Sequence, residues 1–252
     1  MQSPGPMAMH RVATDNAPVA PLAFDLVALA AAADPYPILA AMRAVSPVCR
    51  LENGFWAVTG YDAAMAVLVH RGCSSSPIGV RYQDGLPPGA ARDEMSRRIN
   101  FLEPADHQRV RSLVSKAFTP RRIGELAPWI AATADRLLDG LDGLEHLDLL
   151  ARFAHQVPSL VISELLGVPI ADRDRLTAWS DAVAPLLGLQ VSDADRECAI
   201  AAAEEMHAYL GALLDDRRRQ PGADLLSALL AAEESGQRLA RPELLSLAAT
   251  LY

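Results

Sequence analysis

The chain has 252 residues, enough for a large core in one or two domains. It is 51% hydrophobic but only 5% aromatic, an Ala- and Leu-rich balance that favours helices over strands. The net charge of −8, with arginines scattered among acids, gives no basic stripe for nucleic acid.

No run approaches the ~18 consecutive apolar residues that a bilayer span needs, so no membrane association is expected. Cys49, Cys73 and Cys198 are widely separated and form no Cys-x-x-Cys, a usage that suits a reducing compartment. Residues 1–21 carry Pro4, Pro6 and Pro18 and lack the apolar run of a secretory signal. They read as a disordered leader to a cytoplasmic protein.

In chain order, residues 22–33 are Ala-rich and predict a helix that stops before Pro35. Residues 37–44 predict a second, with Ile38, Leu39 and Met42 as its apolar face. Residues 47–52 and 55–59 flank Asn53-Gly54, which suits a two-residue hairpin turn, so this is the strongest strand pair, with Trp56 expected in the core. Residues 61–70 predict a short helix with Met65, Leu68 and Val69 inward, closed by Gly72. From Cys73 to Asn100 the periodicity fails amid Ser74-Ser75-Ser76-Pro77, Gly79, Gly85 and Pro87-Pro88-Gly89, and a long irregular loop is expected.

Residues 104–117 predict a helix with Val110, Leu113, Val114 and Ala117 on one stripe. Thr119-Pro120 ends it and starts the next, Thr as N-cap and Pro in the first turn. That next helix, 120–141, carries Ile123, Leu126, Ile130, Ala134, Leu137 and Leu138 on one side. Residues 147–166 are apolar almost all round and predict a buried central helix, kinked at Pro158 and stopped by Gly167. His155 on it reads as a core or boundary histidine, since no second histidine stands at metal spacing.

Residues 172–187 carry Leu176, Trp179, Val183 and Leu186. Ser192 to Asp195 is a capping-box-like start to a helix reaching Arg219, whose terminal Arg217-Arg218-Arg219 complements the macrodipole. A short helix over 224–234 ends at Gly236. Pro242-Glu243 opens the last element, with Leu244, Leu245, Leu247, Ala248 and Leu251 apolar. The faces of 147–166 and 244–251 are expected to stay partly exposed.

The candidate site lies on the 104–117 helix. His107 and Arg111 are four residues apart and therefore share one helical row at the edge of the apolar stripe. On spacing alone the reading as solvated helix-face residues is favoured over that of a pair for the anionic groups of a ligand.

The segment His107-Gln108-Arg109-Val110-Arg111 followed by Phe118-Thr119-Pro120-Arg121 resembles the C helix and the start of the D helix of bacterial cytochrome P-450, the heme-thiolate monooxygenases. Gly54-Phe55-Trp56-Ala57-Val58-Thr59-Gly60-Tyr61-Asp62 resembles the strand leading into that family's B helix. Val161-Ile162-Ser163-Glu164-Leu165-Leu166-Gly167-Val168-Pro169 resembles the end of its E helix. The three occur in family order, and the resemblance runs from about Asp34 to Tyr252.

The resemblance implies a mainly α chain with a small β-hairpin, the N-terminal part of the P-450 fold from helix A to the start of helix I. It implies that residues 22–252 form an incomplete domain lacking the I-helix oxygen-activating stretch, the Glu-x-x-Arg pair and the heme-ligating Cys loop. It implies heme as cofactor, with His107 and Arg111 on its propionates and no catalytic or metal-ligating residue in this chain. It implies a monooxygenase of a small organic substrate, fed electrons by a ferredoxin or flavoprotein and inactive alone. Residues 73–100 would be the loop roofing the substrate pocket, and 186–191 the junction of helices F and G. A non-catalytic helical remnant or an interaction module is the alternative.

Overall fold

The structure, a computed structural model, describes Leu29 and residues 32–52, 54–70, 72–188, 191–232 and 238–252. The expected leader, most of the 22–33 helix, the tip of the 186–191 junction and the Gly236 stop lie outside the described residues. The chain divides between Cys73 and Ser74 into two compact units.

In the first unit, Pro35 precedes α1 (Tyr36–Val45), whose buried Met42 packs with Ile38 and Leu39 against Cys49 and Leu51. β1 (Val48–Arg50) and β2 (Trp56–Val58) pair antiparallel, with Arg50 opposite Trp56 and Cys49 opposite Ala57. The hairpin closes differently from the expected two-residue turn. Leu51 N donates to Phe55 O at 2.7 Å, and Gly54 N donates to Leu51 O at 3.0 Å with Gly54 at φ 87°. This is the longer loop that ends in a left-handed residue, which glycine occupies without a Cβ penalty.

Further expectations fail in this unit. Trp56 is 61% exposed, because the register puts it beside Arg50 on the outer face while Cys49 points inward. α2 (Tyr61–Val69) forms, but Met65, Leu68 and Val69 are exposed, and it contributes no buried residue. The small core of Met42, Cys49 and Leu51 is filled by α1 and the hairpin. Nor does Gly72 cap the helix: His70 N donates to Val67 O at 3.2 Å, and the His70 ring accepts from Gly72 N at 3.0 Å.

The second unit is a helical assembly. The expected irregular loop holds two helices, α3 (Ser76–Gln83) and α4 (Ala90–Arg97). Pro77 lies in the first turn of α3, where its missing N–H costs nothing. A Cβ on Gly79 would stand 2.8 Å from Phe101 Cβ, so the glycine permits that close approach. α4 buries Ala90, Ala91 and Met95 with Glu94, a set too small and too polar to show a helical stripe.

α5 (Pro104–Ala117) buries Val110, Leu113, Val114 and Ala117 as its period requires. Thr119 Oγ1 accepts from Arg122 N at 3.3 Å and opens α6 (Pro120–Asp139). The expected apolar side of α6 is only half-buried, and Ile123 and Leu138 are exposed.

The expected central helix is shorter and less buried than its composition suggests. Leu149 and Leu150 are 55% and 74% exposed, and Leu150–Ala154 is a single wide turn closed by His155 N donating to Leu150 O at 2.8 Å. α7 (Gln156–Leu166) follows and buries Ser163, Leu165 and Leu166. Pro158 thus falls in the first turn of α7, and the expected kink is taken up by the wide turn before it.

α8 (Arg173–Val183) and the tight turn Ala184–Leu187 bury Leu176, Trp179, Val183 and Leu186. Ser192 Oγ accepts from Asp195 N at 3.1 Å and starts α9 (Asp193–Arg219), which packs along α8 and also meets α4. Asp224 Oδ1 accepts from Ser227 N at 2.8 Å and caps α10 (Leu225–Ala231). α11 (Arg241–Leu251) packs against α4 and α9. Of the stripe expected to stay partly exposed, Leu244, Leu247 and Ala248 are buried, at 2%, 4% and 0% exposure, while Leu245 and Leu251 are half-buried.

Candidate functional site

Pro104 in the first turn and Glu103 O, which accepts His107 N at 2.8 Å, fix the start of α5 and so the direction of its side-chain rows. His107 and Arg111 are both exposed on one row of this helix. Among the described residues neither side chain makes a hydrogen bond or ion pair with another group. Val114, next on the same row, is buried, so the two polar groups sit at the rim of a packed face.

Arg109 lies on a neighbouring row and is engaged. Its guanidinium meets the Glu243 carboxylate through two N–H donors, Nη2 on Oε1 and Nη1 on Oε2, the second at 3.5 Å. Its Nε is also 3.6 Å from Asp106. Hydrogen bonding to Glu243 raises Arg109 above its ordinary value against the opposing effect of burial. Burial pushes Glu243 up, but the Arg109 hydrogen bond, the Ala240 N–H and the nearby cations outweigh it and hold the carboxyl below its usual range. The Asp106 contact is the i−3 pairing that the sequence allows; Glu243 lies on α11 and had no signal in the local sequence. A cavity of about 240 Å³ opens beside this pair, lined among others by Arg97, Val110 and Leu247.

A second cavity of about 480 Å³ lies where α7, α8 and Tyr252 meet. His155 stands at its edge, 56% exposed at the side chain and 3.4 Å from Asp181, a boundary histidine rather than a core one. The Tyr252 hydroxyl shares hydrogen bonds with Ser163 Oγ at 3.0 Å and Thr177 Oγ1 at 2.8 Å.

Arg217 does more than complement the end of α9. Its Nε donates to Asp224 Oδ2 at 2.5 Å and its Nη2 to Gly167 O at 2.8 Å, while Arg122 Nη1 donates to Asp224 O at 2.7 Å. Asp224 thus joins α9 and α10 through its carboxylate and α6 through its backbone carbonyl, and Arg217 adds the end of α7. Among the described residues no group of three or more His, Cys, Asp or Glu side chains could hold a metal ion, and no helix is long and apolar enough to cross a membrane.

No protein-family model matches the chain. Individual proteins do. Vitamin D(3) 25-hydroxylase of Pseudonocardia autotrophica is 36% identical over 225 residues, which are 86% of this chain and 53% of that protein. Cytochrome P450 monooxygenase PikC of Streptomyces venezuelae is 39% identical over 228 residues, 86% of this chain and 51% of PikC. The structure of cytochrome P450 PksS from the bacillaene polyketide synthase of Bacillus subtilis 168 superposes with a TM-score of 0.71 at 33% identity, covering 84% of this chain and 53% of that one. The chain belongs to the cytochrome P450 family and spans about half the length of these relatives, their N-terminal part.

Heme is the cofactor of that family, and the donor set on α5 fits part of it. Two unpartnered nitrogen-bearing side chains one helical turn apart suit a pair of carboxylates. The cysteines fit it less well: Cys49 is fully buried in β1, and Cys198 lies in the interior of α9.

Proposed function

We propose that the protein represented by this chain is a heme-dependent monooxygenase of a small organic substrate, and that His107 and Arg111 hold the heme propionates. The observation that supports the reading is the free, exposed pair on one row of α5, inside the segment matched by the relatives. Arg111 is the stronger partner. A guanidinium is always charged and meets a carboxylate with two parallel hydrogen bonds, whereas an imidazole offers a single N–H to it.

Heme, when bound, supplies the redox chemistry by which dioxygen is activated and one oxygen atom enters the substrate. The chain's own contribution is to orient the cofactor. α5 carries the anchoring pair, and the Arg109–Glu243 contact fixes α5 against α11. None of Cys49, Cys73 and Cys198 is assigned as the thiolate that would hold the heme iron. A ferredoxin or flavoprotein electron donor and a cytoplasmic location belong to the same proposal; the free thiols of all three cysteines support the location.

The test is the heme content of the purified heme-loaded protein. His107→Ala combined with Arg111→Ala is expected to leave it largely in the apo form with its helical circular dichroism unchanged. Heme occupancy equal to that of the parent would refute the assignment.

A further inference from the structure

Trp179 on α8 and Tyr209 on α9 meet across the packed face of these two helices, their ring centroids 5.8 Å apart and their planes tilted by 52°. Each ring gives its polar hydrogen to a carboxylate. The Trp179 indole Nε1 donates to Glu205 Oε2 at 3.0 Å, and the Tyr209 hydroxyl donates to Asp172 Oδ2 at 3.0 Å. Glu205 and Tyr209 are four residues apart on α9, so one helical row presents both an acceptor and a phenol to the same indole. Trp179 is buried, at 8% exposure, while Tyr209 and Asp172 are half-buried. The order is therefore carboxylate, indole, phenol, carboxylate, running from the interior toward water.

We propose that Trp179 and Tyr209 form a radical-transfer pair, which passes the electron vacancy left on the buried indole by a one-electron oxidant to the phenol nearer the surface. The oxidant takes one electron from Trp179 and is itself reduced by one. The indole N–H, made acidic by that loss, gives its proton to Glu205 Oε2. Tyr209 then supplies one electron to Trp179 and its hydroxyl proton to Asp172 Oδ2, and Glu205 returns its proton to the indole nitrogen. What remains is intact Trp179, a phenoxyl radical on Tyr209 and a protonated Asp172. A small thiol restores Tyr209 by giving it a hydrogen atom, which leaves a thiyl radical, and Asp172 releases its proton to water. The two carboxylates act as positioned bases, already within hydrogen-bond reach of the protons they take.

The charges around the pair set the direction. The Arg175 guanidinium lies 4.6 Å over the Trp179 ring. It is held there by the electron density of the ring face, and it repels a ring that has lost an electron. The vacancy therefore does not rest on the indole. Asp172 has the opposite effect at Tyr209, where its negative charge and its free lone pairs favour loss of the hydroxyl proton. A phenol also gives up a hydrogen atom more readily than an indole, so the transfer runs from Trp179 to Tyr209. Tyr82, by contrast, meets Phe101, which has no labile hydrogen to exchange. The pair depends on α8 and α9 alone and stands whether or not His107 and Arg111 bind heme.

Flash photoionisation of tryptophan in the full chain tests it. Trp56→Phe with Trp129→Phe leaves Trp179 as the one indole of the original three, and circular dichroism confirms the fold. The indolyl radical absorption should decay as the phenoxyl absorption rises, at a rate independent of protein concentration. Tyr209→Phe keeps the ring contact and should abolish the rise, leaving a long-lived indolyl radical. Asp172→Asn keeps both rings but removes the base, and should slow the transfer by about a hundredfold, the lower end of what a positioned base contributes. In the chain with its other two tryptophans in place, Trp179→Phe should likewise remove the concentration-independent phenoxyl rise. A rise that persists in Tyr209→Phe, a rate unchanged by Asp172→Asn, or an indolyl radical on Trp179 that decays with no phenoxyl rise would overturn the proposal.

Discussion

Arg109 and Glu243 stand 134 positions apart in the chain and meet as a bidentate ion pair that joins α5 to α11. Both side chains are about a quarter exposed, at 27% and 21%, so the pair is shielded without being fully desolvated. It turns Arg109 from a bystander beside the candidate site into the residue that sets the position of α5. Arg109→Ala should destabilise the chain by about 1–2 kcal/mol, read as a lower urea midpoint at unchanged m value. An unaltered midpoint would show the contact to be ornamental.

The same pair fixes a pH dependence. Glu243 is held below its ordinary value near 4.5 in the folded chain, so its contribution is present above that value and is lost as pH falls through the lower folded value. The stability gap between the parent and Glu243→Gln should therefore shrink below about pH 4.5. A gap that is constant from pH 7 to pH 3 would contradict the ion-pair account.

Much of this architecture was readable locally, and the exceptions share one cause. Ser192 with Asp195, Thr119-Pro120 and the Val110–Leu113–Val114–Ala117 stripe are signals within a few residues, and each element formed where they placed it. α4 was missed because its buried positions are two alanines, one methionine and a glutamate, which become a helix face only against α9 and α11. α2 erred the other way, with a proper apolar stripe at Met65, Leu68 and Val69 and no core left for it to cover. At the site, the His107–Arg111 row follows from spacing, whereas Glu243 is supplied by a tertiary contact.

Two glycines with opposite surroundings give a paired test. Gly167 sits at φ 71°, and an added Cβ would stand 2.7 Å from Asp224, the residue that gathers Arg217, Arg122 and Ser227. Gly167→Ala combines left-handed strain with that clash and should cost about 2 kcal/mol or more. Gly124 lies within α6 with nothing within 4 Å of its added Cβ. Gly124→Ala should stabilise by about 0.5–1 kcal/mol. Thermal melts of the two variants moving in the same direction would count against this placement of the helices.

Tyr209 provides an optical probe of the α9 interface. Burial, followed by its hydrogen bond to Asp172 Oδ2 at 3.0 Å, raises its phenol to about 12. Its contribution to stability is intact below the ordinary value of 10.0 and is lost as pH rises through the folded value. Ultraviolet difference titration should show a late tyrosine step near pH 12, and Tyr209→Phe should remove that late step. If the late step remains in Tyr209→Phe, it belongs to a different tyrosine.

The central claim is that His107 and Arg111 anchor heme, and the rate of heme transfer from the loaded protein to an apo-acceptor tests it most directly. One charge-assisted hydrogen bond is worth roughly 1.5–3 kcal/mol. Arg111→Ala should therefore speed heme loss by about one to two orders of magnitude, with a smaller increase for His107→Ala. Gln108, exposed on a different row of α5, is the control, since Arg109 is committed to Glu243. Gln108→Ala should leave the rate unchanged. Equal rates for Arg111→Ala, Gln108→Ala and the parent would show that the two residues form a solvated helix face and contradict the assignment.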